Sequence, residues 1–207
     1  MVWPAVEAGK GGSRRRRGEG MFDRLLVPLD RSRLAEQVLP TVTELARAFG
    51  SEVVLVDVCG TEDREEEQTC HLYVERKAGE LRASLAGSAA TLTSVVIPGE
   101  AAERILSYSE AEGIDLIVMS SHGRSGITHW SLGGTVDRVL RRAGTPLIVV
   151  RSREPPEEGH VFKRIAVPLD GSESSAAILP VIEQLTVELP CEILLVRIIE
   201  PGKQVRT

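Results

Sequence analysis

Two stretches of the sequence carry residue types suited to holding a phosphorylated ligand. The first is Val27-Pro28-Leu29-Asp30, an apolar run closed by a carboxylate. The second is Met119-Ser120-Ser121-His122-Gly123, which continues through Arg124-Ser125-Gly126 to Gly133-Gly134-Thr135. Its glycines let a backbone approach a ligand closely and reach positive φ. Amides at a helix start favour anions such as phosphate. A carboxylate facing such a loop could hold ribose hydroxyls or a phosphate-bound magnesium ion. Each feature also has a plainer reading. Asp30 could cap a helix beginning near Ser32, the glycines could form only a strand-to-helix turn, and Arg124 could be a solvated loop arginine. His122 reads as a hydrogen-bonded loop histidine, because no nucleophile–base–orienter set is visible around it. Cys70-His71 has no further ligand at metal spacing.

These stretches depend on the elements that carry them. An apolar strand spans Arg24 to Leu29. A helix follows, with Leu34, Val38, Val42, Leu45, Ala46 and Phe49 at three- and four-residue spacing. Pro40 lies inside that pattern, so a kink is expected there. Gly50 ends the helix, and Val53 to Val58 forms a second strand. Thr61 to Glu67 is an acidic loop or helix start, and a helix then covers Cys70 to Leu85. Strands near Leu92 to Ile97 and Asp115 to Met119 flank a helix over Ala101 to Ala111. A helix with Val136, Val139, Leu140 and Ala143 inward ends at Gly144 before Pro146. A fifth strand spans Leu147 to Val150. Alternating strands and helices give an α/β fold with a doubly wound five-stranded parallel sheet. The expected order is 3-2-1-4-5, with the switch point between strands one and four. There, beyond the strand ends, Asp30 and the glycine loop meet.

The bulk properties narrow the function. Of 207 residues, 42% are hydrophobic and only 3% aromatic, so the core is aliphatic, as a buried parallel sheet requires. The formal net charge of −5 argues against a general nucleic-acid binder. No apolar stretch is long enough to span a bilayer. The three cysteines are scattered and include no CxxC pair, so neither a disulfide framework nor a zinc site is expected. A cytoplasmic location is the default.

An internal repeat organises the chain. Phe22 to Asp30 matches Phe162 to Asp170, and Glu52 to Val56 matches Glu192 to Val196, at constant offset. The expected division is a disordered Gly- and Arg-rich leader over 1–20, a complete domain over 21–153, an acidic Pro-rich linker over 154–160, and a partial second domain over 161–207. The last supplies a first strand, helix and second strand. It has Asp170 but no counterpart of the glycine loop.

Val27-Pro28-Leu29-Asp30, Met119 to Gly126, Trp130-Ser131-Leu132-Gly133-Gly134 and Leu140 to Val150 together resemble the universal stress protein family. The resemblance covers 21–153. It implies an adenine nucleotide alpha hydrolase-like fold, a regulatory role in stress response, and ATP or AMP as ligand, possibly with Mg2+. It places Asp30 near ribose or phosphates, Val58 against adenine, and the amides of Gly123, Gly133 and Gly134 on phosphates. Pro28, Leu29, Met119, Ser120, His122, Arg124 and Thr135 complete the implied nucleotide-binding set. It implies a homodimer through the edge of Leu147 to Val150, and at most weak ATP hydrolysis. Two positions depart from the pattern of ATP-binding members. Ser120 stands where the first glycine would be, and Gly134 where a phosphate-bonding hydroxyl would be, with Thr135 adjacent. A family member that has lost nucleotide binding and acts as a dimerising scaffold is the alternative.

Overall fold

The computed structural model describes residues 22–60, 64–123, 132–151 and 161–198. The chain divides into two compact units, with the division between Val161 and Phe162.

In the larger unit, β1 (Arg24–Leu29) leads to a short helix α1 (Arg33–Glu36), and α2 (Leu39–Phe49) leads to β2 (Glu52–Cys59). Then come α3 (Arg64–Ser84), β3 (Thr91–Pro98), α4 (Ala101–Ala111), β4 (Leu116–Ser120), α5 (Gly134–Arg142) and β5 (Leu147–Val150). The five strands form one parallel sheet, as the alternation of elements implies, in the expected order β3-β2-β1-β4-β5.

Period-two alternation feeds both faces of this sheet. Leu26, Val54, Val56, Ile117 and Met119 pack with Ile105, Leu106, Val136 and Val139 of α4 and α5. Their strand neighbours Leu25, Val27, Val53 and Leu55 are equally buried and turn to the opposite face. There Val42, Leu45 and Ala46 of α2 and Val74, Ala78 and Leu81 of α3 are buried.

Two local expectations are corrected. The helix starting near Leu34 is not one kinked helix. It is two, because Pro40 occupies the first turn of α2, where its missing N–H costs nothing. The cysteines were expected to stay unpaired, but Cys59 and Cys70 form a disulfide. Helix α3 begins six residues earlier than Cys70, and this carries Cys70 back over the end of β2. Cys191 is free.

The smaller unit pairs β6 (Arg164–Pro168) and β7 (Glu192–Val196) in parallel, joined through α6 (Glu173–Ala176) and α7 (Leu179–Glu188). Its register repeats that of the first unit: Arg164 faces Glu192 as Arg24 faces Glu52. Leu194, Leu195 and Ile198 are exposed.

Candidate functional site

The ladder between β1 and β4 pairs Leu25 with Leu116 and Leu26 with Ile117. Both strands continue beyond it, to Leu29 and Ser120. They therefore part at their carboxyl ends, and a cavity of 710 Å³ occupies this end of the sheet. Its location is where open α/β sheets bind ligands.

From β1, Pro28, Leu29 and Asp30 line the cavity, and from β2, Val58 does. From β4 and the segment after it come Met119, Ser120, His122 and Gly123. The start of α5 supplies Gly133, Gly134 and Thr135. The fold thus brings together eleven of the twelve residues selected from sequence. The twelfth, Arg124, lies outside the described residues. Sequence reasoning missed Ala35, Gly60, Gly99, Glu100, Ala101, Ile105 and Val136, which also line the cavity. Gly60 and Gly99 directly follow β2 and β3, so the strand-end rule already pointed to them.

Asp30 is held in place by its neighbours. Its Oδ1 accepts a hydrogen bond from the Ser32 amide at 3.1 Å, and Ser32 Oγ in turn accepts from the Ala35 amide at 3.1 Å, capping α1. Asp30 is thus part of a helix cap and of the cavity wall at once. Its carboxylate fills the space a side chain on Gly123 would need, so any larger residue there would displace it.

The residue after Asp30 carries the one positive φ among the described non-glycine residues: Arg31, at 68°. L-residues avoid this region. Here the turn aims the guanidinium inward. Its Nε lies 3.3 Å from Oδ2 of Asp57, a fully buried carboxylate, and its Nη2 lies 3.3 Å from Glu66 of α3.

On the opposite wall, Ser121 Oγ and His122 Nδ1 are 3.0 Å apart, while Nε2 of His122 is buried with no hydrogen-bond partner among the described residues. The Gly133 amide donates to the Ser121 carbonyl at 2.9 Å. It ties the loop to the helix start and is not available to a ligand, contrary to its expected role. The amides that lack an intrahelical acceptor begin at Gly134, the first residue of α5. No atom of the described residues lies within 4 Å of the place where a Cβ on Gly134 would stand, so among them a side chain would fit.

Glu100 gives the cavity a second acidic group. It caps α4 by accepting from the Glu103 amide at 3.1 Å and pairs with Arg138. Burial alone would raise its pKa, but the Glu103 and Ala102 amides and Arg138 outweigh this and hold it below the usual carboxylate range. Glu100 and the start of α5 thus both border the cavity and are joined by the Glu100–Arg138 pair, while the free amides at the start of α5 suit anionic groups.

Comparison with known proteins supplies the context. The model of the universal stress protein family matches residues 21–151. A universal stress protein of Methanocaldococcus jannaschii is 24% identical over 157 residues, covering 64% of this chain and 97% of that protein. A universal stress protein of Archaeoglobus fulgidus, solved in complex with dAMP, superposes with a TM-score of 0.51 at 20% identity, covering 63% of this chain and 98% of that one. A further universal stress protein structure, in complex with cAMP, gives a TM-score of 0.53 at 16% identity over 64% of this chain and 98% of that one.

Proposed function

Since this chain belongs to the universal stress protein family, we propose that its larger unit binds an adenine nucleotide, ATP or AMP, in the cavity at the carboxyl end of the sheet. The role is regulatory, in a stress response, with at most weak ATP hydrolysis. One observation carries the reading. The fold gathers Asp30, Val58, Gly123 and the start of α5 around one cavity at the carboxyl end of the sheet. That relatives were solved with cAMP and dAMP supports an adenine nucleotide over other phosphorylated ligands.

In this reading adenine packs on Val58, the half-buried apolar residue at the end of β2. Asp30 accepts from ribose hydroxyls or faces a magnesium ion carried by the phosphates. Phosphates lie toward the amides of Gly123, Gly134 and Thr135, away from Glu100. Pro28, Leu29, Met119 and Ser120 form the floor, and Nε2 of His122, without a hydrogen-bond partner among the described residues, borders the same cavity.

The second reading is a dimerising scaffold without a nucleotide. It is favoured by Gly134, which lacks the hydroxyl expected at that position. In either reading the dimer forms through β5, an edge strand whose four residues are only half-buried in one copy. Titration with ATP and AMP, with and without magnesium, separates the readings. Saturable binding supports the first, and its absence at millimolar nucleotide supports the second.

A further inference from the structure

We propose that Cys59–Cys70 is a thiol–disulfide exchange site whose redox state sets the affinity of the cavity. Cys59 lies between Val58 and Gly60, and both of these line the cavity. Its partner Cys70 is the first buried residue of α3. The six residues of α3 before it, Arg64 to Thr69, bury no side chain, and the next buried position is Val74. Beside the disulfide, the ties of these turns include the Glu66–Arg31 ion pair and the approach of the Cys59 sulfur to the Glu66 carbonyl at 3.7 Å, and Arg31 directly follows Asp30. The start of α3 is thus attached to β2, covalently, and to the turn after β1, by charge, and both segments supply the cavity wall.

Reduction would cut the covalent tie. A small dithiol attacks one sulfur as thiolate, the S–S bond breaks, and a mixed disulfide forms. The second thiol of the reductant then closes it to a cyclic disulfide. Two electrons pass to the protein, and two protons end on Cys59 and Cys70 as thiols. Helical turns with no buried side chain open at low cost once freed. The Glu66 carboxylate would then leave Arg31, and the segments Leu29–Arg31 and Val58–Gly60 would loosen together.

Both sulfurs are buried, so attack requires the first turns of α3 to open. A ligand packed on Val58 and Gly60 opposes that opening. Coupling of this kind is reciprocal: if oxidation tightens ligand binding, bound ligand slows reduction.

This inference rests on the nucleotide reading for its affinity arm only. The test uses the full chain carrying Cys191→Ser, so that every new thiol belongs to the pair. Oxidised and dithiol-reduced protein are titrated with ATP, and amide hydrogen exchange is followed in both. The expected result is two thiols per chain after reduction, faster exchange over Arg64–Thr69, Leu29–Arg31 and Val58–Gly60, and ATP affinity lower by about fivefold or more. Reoxidation should restore all three. Slower thiol appearance with ATP present is the reciprocal effect. Equal ATP affinity and equal exchange in the two states would overturn the proposal. If neither state binds ATP, the nucleotide reading fails, and exchange at Leu29–Arg31 and Val58–Gly60 alone decides: unchanged exchange there rejects the redox coupling. A Cys59→Ser/Cys70→Ser variant should match the reduced protein, which separates loss of the bond from side effects of the reductant.

Discussion

The Asp30 carboxylate stands where a Cβ on Gly123 would have to be. Two cavity walls, from β1 and from the segment after β4, thereby fix each other: the acid can hold its position only because its neighbour has no side chain. Gly123→Ala should push the carboxylate aside and strain its bond to the Ser32 amide. We expect nucleotide affinity to fall by about tenfold or more, the worth of one hydrogen bond to a charged group. Stability should fall by about 1 kcal/mol. Calorimetric titration and urea denaturation of the same variant measure both.

Gly134 offers the opposite case. Its Cβ direction is open among the described residues, so Gly134→Ser adds a hydroxyl without a clash with any of them. If phosphates lie at the start of α5, ATP should bind about tenfold tighter, and AMP should gain less. Equal gains for ATP and adenosine would place the phosphates elsewhere.

Arg31 combines an unfavourable backbone with a buried charge partner. Arg31→Ala keeps the strained φ and strips the guanidinium from Asp57, at a cost of roughly 3 kcal/mol. Arg31→Gly strips the same group but relieves the backbone, so it should be about 1 kcal/mol less destabilising. Denaturant titration of the two variants, compared with each other, isolates the strain from the ion pair.

The underside of α3 predicts an alkaline limit to stability. Burial by itself lowers the Lys77 pKa, but the carboxylates of Glu80 and Glu36 outweigh it and leave the ammonium raised above 10.5. The Tyr73 phenol is also raised, first by burial and then by the charge and hydrogen bond of Glu36. For both groups the folded chain holds its proton more tightly than the unfolded chain. Their contribution is complete below the unfolded values, near pH 10, and is lost as pH rises through the folded ones. Thermal unfolding followed from pH 8 to about pH 12 should show a decline that Lys77→Met and Tyr73→Phe each make shallower.

Much of this architecture was legible in the sequence, because hydrophobic periodicity reports burial directly. The bounds of β1 and of α4 read from spacing are those observed. Alternation of elements gives a parallel sheet, the doubly wound layout expected for five strands gives its order, and that order places Asp30 beside Gly123. What stayed hidden depends on three-dimensional encounters. Pro40 breaks the helical pattern in either reading, and only geometry shows that it starts a new helix. The Cys59–Cys70 pair was missed because spacing along the chain says nothing of a helix returning over a strand end. The Gly133 amide appears available until its bond to Ser121 is seen. Arg31 carries no sequence signal of its left-handed backbone, since such positions usually announce themselves by glycine.

The central claim is tested most directly by calorimetric titration of the full chain with ATP, beside its Asp30→Ala variant. The account predicts saturable binding with one nucleotide per chain and a dissociation constant below about 1 mM, weakened about tenfold or more in the variant. Equal binding by both proteins would remove Asp30, and with it this cavity, from the site. No binding by the unaltered chain would contradict the nucleotide reading outright.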